Sequence, residues 1–150
     1  MTKSKTGGKS DPRVVEAINH AFDLDSKGQT ELAVQHLSAL ITKFPTVGSI
    51  RACLALFLYR SGRFDDAIEH GRKAVQFSPK SEKTSAVLCG ALWKTGRRIE
   101  ALDEMKRFLA VRPSEVYSKM IEEWNLGEDV ESAIEKAKRA IRKDDRHKFG

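Results

Sequence analysis

Three observations predict an all-α chain built as a solenoid of stacked helix hairpins. Gly28, Gly62 and Gly96 lie 34 residues apart, and Ala33, Ala67 and Ala101, like Pro45, Pro79 and Pro113, keep the same period. Three residue types locked to one period without insertions mark a repeat architecture. Between these markers the apolar residues recur every three or four positions, the spacing of one helix face. The composition agrees: 40% of the 150 residues are apolar, enough for a core and too many for wholesale disorder, and 32% are charged, too many for a membrane span.

Asp11-Pro12 starts the first helix, a capping carboxylate followed by proline at the first helical position. Residues 1–11 are mostly Lys, Ser, Thr and Gly and read as a flexible basic tail, leaving 12–150 as a single domain. Its units span 14–47, 48–81 and 82–115, and the middle one shows the logic of all three. Ile50, Leu54, Phe57 and Leu58 form the stripe of a first helix, and Gly62 closes it in the left-handed conformation that costs glycine least. Phe64, Ala67, Ile68, Ala74, Val75 and Phe77 carry a second helix, which stops at Pro79 because proline has no N–H to donate. The small residues Ala21, Ala55 and Cys89 recur where the helices of each hairpin approach, so Cys89 reads as a buried filler. A capping hairpin follows over 114–143, with a short tail after it. Ser114 caps a helix bearing Val116, Tyr117, Met120, Ile121 and Trp124, Gly127 ends that helix, and a last one starts near Asp129 with Val130, Ala133, Ile134, Ala137, Ala140 and Ile141.

Nothing in the residue pattern assembles a catalytic set, and the chain reads as non-enzymatic, with no cofactor and no metal. Cys53 and Cys89 make neither a disulfide framework nor a zinc site, which points to a reducing, cytoplasmic setting. Gly8-Lys9-Ser10 matches only the end of a phosphate-binding loop, because Lys3 stands where that loop needs glycine and no strand precedes it. His36 and His70 fall one period apart on successive second helices and His20 on a first helix, without a ligand cluster around them. Asp65-Asp66 and Glu122-Glu123 suit helix starts and polar faces.

The repeat resembles the tetratricopeptide repeat, a 34-residue hairpin with small residues at unit positions 8, 15, 20 and 27 and proline at 32. Positions 8, 15, 20 and 32 match in all three units counted from Val14, Gly48 and Glu82; the aromatic of position 4 is replaced by Ala17, Arg51 and Ser85, and position 27 holds Leu40, Ala74 and Phe108. The resemblance implies a right-handed α-α superhelix whose concave face is lined by first helices, chiefly at positions 2, 5, 9, 12 and 13. The candidate peptide-groove residues on that face are Ile18, Phe22 and Asp25 from the first unit, Leu56, Tyr59 and Arg60 from the second, and Lys83, Trp93 and Lys94 from the third. Aromatic and basic side chains beside small Ala52, Ala86 and Gly90 suit a peptide with apolar and some acidic character. Relatives that clamp the C-terminal carboxylate of chaperones use a set of which only Lys83 survives, the other places holding Ile18, Phe22, Cys53 and Val87.

The expected function is a protein-protein interaction module, an adaptor or scaffold that binds a peptide segment of another protein. Its alternatives are a small cytoplasmic chaperone of a secreted or assembling protein, a basic nucleic-acid-binding repeat protein, and self-assembly through the last helix into a homo-oligomer. The net charge of +6 motivates the nucleic-acid reading. Residues 1–13 hold +3, residues 14–113 hold +4 and residues 114–150 hold −1 of that total, so no single stripe forms and nucleic acid is disfavoured.

Overall fold

The computed structural model describes residues 11–127 and 129–149, with side chains to residue 143, so the basic tail and Gly8-Lys9-Ser10 lie outside it. Eight helices and no strand occur among the described residues. They are α1 (Pro12–Ser26), α2 (Thr30–Lys43), α3 (Gly48–Arg60), α4 (Phe64–Phe77), α5 (Glu82–Lys94), α6 (Arg98–Leu109), α7 (Glu115–Glu123) and α8 (Val130–Phe149). Each of the first three hairpins packs its own helices together, and the second helices of the first two also pack on the first helix of the next, α2 on α3 and α4 on α5, whereas α6 packs on α8. The apolar stripes converge on one continuous core running from Val14 to Ile134.

The turn inside each hairpin is fixed by the same hydrogen bonds three times. Gly28, Gly62 and Gly96 adopt φ of +80°, +80° and +83°. The next N–H in each case, from Gln29, Arg63 or Arg97, reaches back to the carbonyl of Leu24, Leu58 or Leu92 at 2.8, 2.9 and 2.9 Å. This is the Schellman closure, which satisfies carbonyls that the helix end leaves open. The small residues Ala21, Ala55, Cys89, Ala33, Ala67 and Ala101 are all fully buried, so the 34-residue marks are the sites of closest helix approach. Helix starts are capped as expected: Asp11 accepts from the Arg13 N–H at 2.8 Å and Ser114 from the Tyr117 N–H at 3.1 Å.

The fourth hairpin departs from the others. Helix α7 has 9 residues, against 13 in α3 and in α5. Its terminator is Asn125 at φ +54°, with the Leu126 N–H on the Ile121 carbonyl at 3.0 Å, whereas Gly127 falls two residues later. Asparagine tolerates the left-handed region well enough to end a helix before the glycine is reached. Helix α8 is also longer than the expected last helix, continuing to Phe149, and it packs on α6. Glu131 near the start of α8 meets Lys106 near the end of α6 at 2.6 Å, while Ala137 and Ile141 border Arg98 and Leu102 at the start of α6. The two helices therefore run in opposite senses, and α8 covers the face of α6 that another repeat would take. None of the helices is long and apolar enough to cross a membrane.

Candidate functional site

First helices turn their faces to a shared groove. Leu56 and Tyr59 of α3, Lys83, Ala86, Val87 and Gly90 of α5, and Val116 and Met120 of α7 line a hollow of about 380 Å³. Its depth at the centre follows from residue size. Tyr59 lies over Gly90, where an added Cβ would meet the Tyr59 ring and hydroxyl at 3.5–3.6 Å. The Tyr59 ring is braced edge-on by Phe64 with centroids 5.4 Å apart, and partial burial pushes its phenol pKa up. Val116 remains 38% exposed on the opposite wall. Glu82 is committed to the Ser114 hydroxyl, which donates to its carboxylate at 2.6 Å, while Lys83 makes no ion pair among the described residues. The hollow is apolar, and its rim carries the Lys83 ammonium and the Glu82 carboxylate, the latter held by Ser114. Neighbouring Cys53 is a half-buried thiol whose pKa burial raises, against a smaller opposing pull from Lys83.

The nine candidate residues do not stand together. Leu56, Tyr59 and Lys83 share the hollow. Ile18 and Phe22 lie half-buried against the core of the first repeat, Phe22 edge-on to Phe57 at 5.0 Å. Asp25 and Arg60 pair with each other at 2.5 Å, and Asp25 also accepts from the Thr30 hydroxyl at 2.6 Å. Trp93 stacks on Trp124 at 4.2 Å with ring planes 10° apart, under the Arg98 guanidinium at 4.8 Å. Trp93 thus borders a second cavity, while Lys94 is exposed at the end of α5.

A polar chain that sequence reasoning missed ties α7 to the third repeat. Ser85 donates to Glu104 at 2.6 Å, which uses its only proton, so the fully buried Tyr117 hydroxyl must be the donor in its 2.6 Å contact with Ser85. Glu104 in turn holds Arg107 through two hydrogen bonds of 3.0 and 2.7 Å, and Arg107 reaches the Pro79 carbonyl at 3.0 Å. Burial pushes the Tyr117 phenol up and the adjacent Cys89 thiol to about 12. Ser85, which stands where the repeat pattern has an aromatic, instead receives one from α7. His20 and His36, on α1 and α2, bring their rings within 4.7 Å. No group of three or more His, Cys, Asp or Glu placed to hold a metal ion occurs among the described residues.

No protein-family model matches the sequence, and no curated protein does. Solved structures do. The chain is similar to the Yersinia enterocolitica type III secretion chaperone SycD in complex with a peptide of the translocator YopD, at 17% identity over 87% of this chain and 96% of that one, TM-score 0.66. It is similar to the Sgt2 TPR domain from Aspergillus fumigatus at 16% identity over 93% and 88% of the two chains, TM-score 0.64. A third is the second TPR of Spaghetti (RPAP3) bound to the HSP90 peptide SRMEEVD, at 15% identity over 66% and 92%, TM-score 0.62. The chain has the tetratricopeptide-repeat fold. Unit positions of the tetratricopeptide repeat then relate the three inter-repeat junctions. Asp25, Tyr59 and Trp93 occupy position 12 of successive units, and Leu56, Gly90 and Trp124 lie 34 residues apart at position 9 of the units that follow. At the first junction Asp25 pairs with Arg60, at position 13 of the next unit, and not with Leu56; the second junction carries a tyrosine over a glycine and the third a tryptophan stack.

Proposed function

We propose that this chain is a non-catalytic protein-interaction module that holds a peptide segment of a partner protein in the hollow between α3, α5 and α7. The observation that carries this reading is the apolar hollow itself, floored by Ala86 and Gly90, walled by Leu56, Tyr59 and Met120, and rimmed by the unpaired Lys83. Apolar surface bounded by charge is characteristic of interaction sites. The partner segment is apolar with an acidic residue that meets Lys83, which forms no ion pair among the described residues, while the Glu82 carboxylate accepts from Ser114. Two of the similar structures hold peptides, which supports peptide capture by this fold. The free Cys53 and Cys89 are in keeping with a reducing, cytoplasmic setting. A nucleic-acid role is less favoured because Arg60, Arg63, Arg72, Arg97, Lys106 and Arg107 each meet a carboxylate. Selection from a random displayed-peptide library tests the reading. Enriched peptides should carry apolar residues beside an acid, bind wild type and lose binding to Ala86→Glu. Failure to enrich, or equal binding to the variant, would sink it.

A further inference from the structure

We propose that the cavity between the Trp93–Trp124 stack and helices α6 and α8 is a second binding site, separate from the peptide groove, for a small amphipathic carboxylic acid. The cavity is about 390 Å³, the size of a small-ligand pocket. Its walls are Leu102 of α6, Leu126 of the α7–α8 turn, the two indoles, and a strip of α8. Ala133, Ala137 and Ala140 on that strip are short side chains that leave the space open, and Ile141 beside them is 49% exposed.

Charge defines the other end of the ligand. Among the described residues the lining holds Arg98 and Lys136 and no carboxylate, and neither cation forms an ion pair. Arg98 is fixed over the Trp93 ring rather than spent on an acid, which leaves its N–H groups available to an anion. An apolar body against the indoles and alanines, with a single carboxylate between Arg98 and Lys136, satisfies both halves of the site. A medium-chain fatty acid has that chemistry. The indole stack would form one wall of the bound chain's path, and the anion would sit against two cations that meet no carboxylate among the described residues.

The chain has two tryptophans, Trp93 and Trp124, and both border this cavity, so intrinsic tryptophan fluorescence reports on it. Titration with ω-bromodecanoate, whose bromine quenches on contact, should give saturable quenching below the micellar concentration. Decanoate should displace it about fivefold more tightly than decanol, the upper end for a solvent-exposed ion pair. Arg98→Gln with Lys136→Gln should erase that preference without changing helicity, Ala137→Phe should abolish quenching by filling the space, and Ala86→Glu in the peptide groove should leave it intact. Absence of saturable quenching, equal displacement by acid and alcohol, or insensitivity to Ala137→Phe overturns the proposal. Displacement by a peptide with a free apolar C-terminus but not by decanoate overturns it too.

Discussion

The second junction and the third use the same two repeat positions and reach opposite results. Between the second and third repeats, Tyr59 projects over Gly90 and the surface stays hollow. Between the third repeat and the cap, Trp93 meets Trp124 face to face and the surface is walled off. The residues at position 9 differ in side-chain size, and the backbone differs as well: Gly90 lies inside α5, whereas Trp124 caps the end of the shortened α7. Whether the surface at a junction is hollow or filled is therefore set by side-chain volume together with the length of the helix that carries it. The two hollows share no lining residue.

The largest expected effect comes from cutting the cap away from the wall. Tyr117 is the largest of the fully buried side chains and the only link from α7 into the Ser85–Glu104–Arg107 chain. Tyr117→Ala should cost about 3–5 kcal/mol, the range for deleting a buried aromatic. Tyr117→Phe, which keeps the ring and loses one hydrogen bond, should cost about 1 kcal/mol. Urea midpoints measure both, and near-equal losses would mean that the polar chain, rather than the ring, holds the cap.

The same buried cluster sets an alkaline limit. Cys89 keeps its proton in the folded chain up to about 12, against an ordinary value of 9.0, so the folded state binds more protons across that interval. Stability is then full below pH 9.0 and falls as pH rises from there toward 12; the raised Tyr117 phenol acts in the same direction. Cys89→Ala should flatten part of this decline in a series of urea midpoints. A decline of unchanged slope would assign it to Tyr117 alone.

Exchanging the residues at position 9 tests the comparison directly. Gly90→Trp places at the second junction the side chain that walls the third, and should displace Tyr59, abolish peptide binding and cost about 1–3 kcal/mol through overpacking. Trp124→Ala does the reverse: it removes a stacked pair worth about 0.5–1.5 kcal/mol beyond its buried area and should admit longer peptides. Peptide titrations against both variants read the outcome, and an unaltered length preference for Trp124→Ala would show that the stack does not bound the groove.

The repeats were legible in the sequence because their signals are local: glycine at the left-handed turn, proline after the second helix, small residues where helices touch. That Leu56, Tyr59 and Lys83 face one hollow was legible for the same reason, their positions being periodic. Asp25–Arg60 joins position 12 of one unit to position 13 of the next, and that offset of opposite charges is a signal the face-by-face reading passed over. The Ser85–Tyr117 contact spans 32 residues and joins a serine to a tyrosine at positions where the other units have Ala17 with Ser49 and Arg51 with Lys83, so no repeated residue type signals it. The pairing of α8 with α6 follows from the shortness of α7 and from the turn after Trp124, neither of which a 34-residue count contains.

The smallest effects compare how the two regions end their helices. Gly62 at φ +80° has nothing within 4 Å of an added Cβ, so Gly62→Ala isolates the cost of the left-handed backbone, about 1–2 kcal/mol. Asn125 already meets part of that cost with a side chain that tolerates φ +54°. Asn125→Ala should therefore cost less than Gly62→Ala, and Asn125→Gly should stabilise the cap by a few tenths of a kcal/mol. The order of the three urea midpoints is the measurement. If Asn125→Gly lowers stability instead, the asparagine side chain contributes an interaction of its own at the end of α7, and the early stop of that helix is a specified feature of the cap rather than a loss of the glycine found in the repeats.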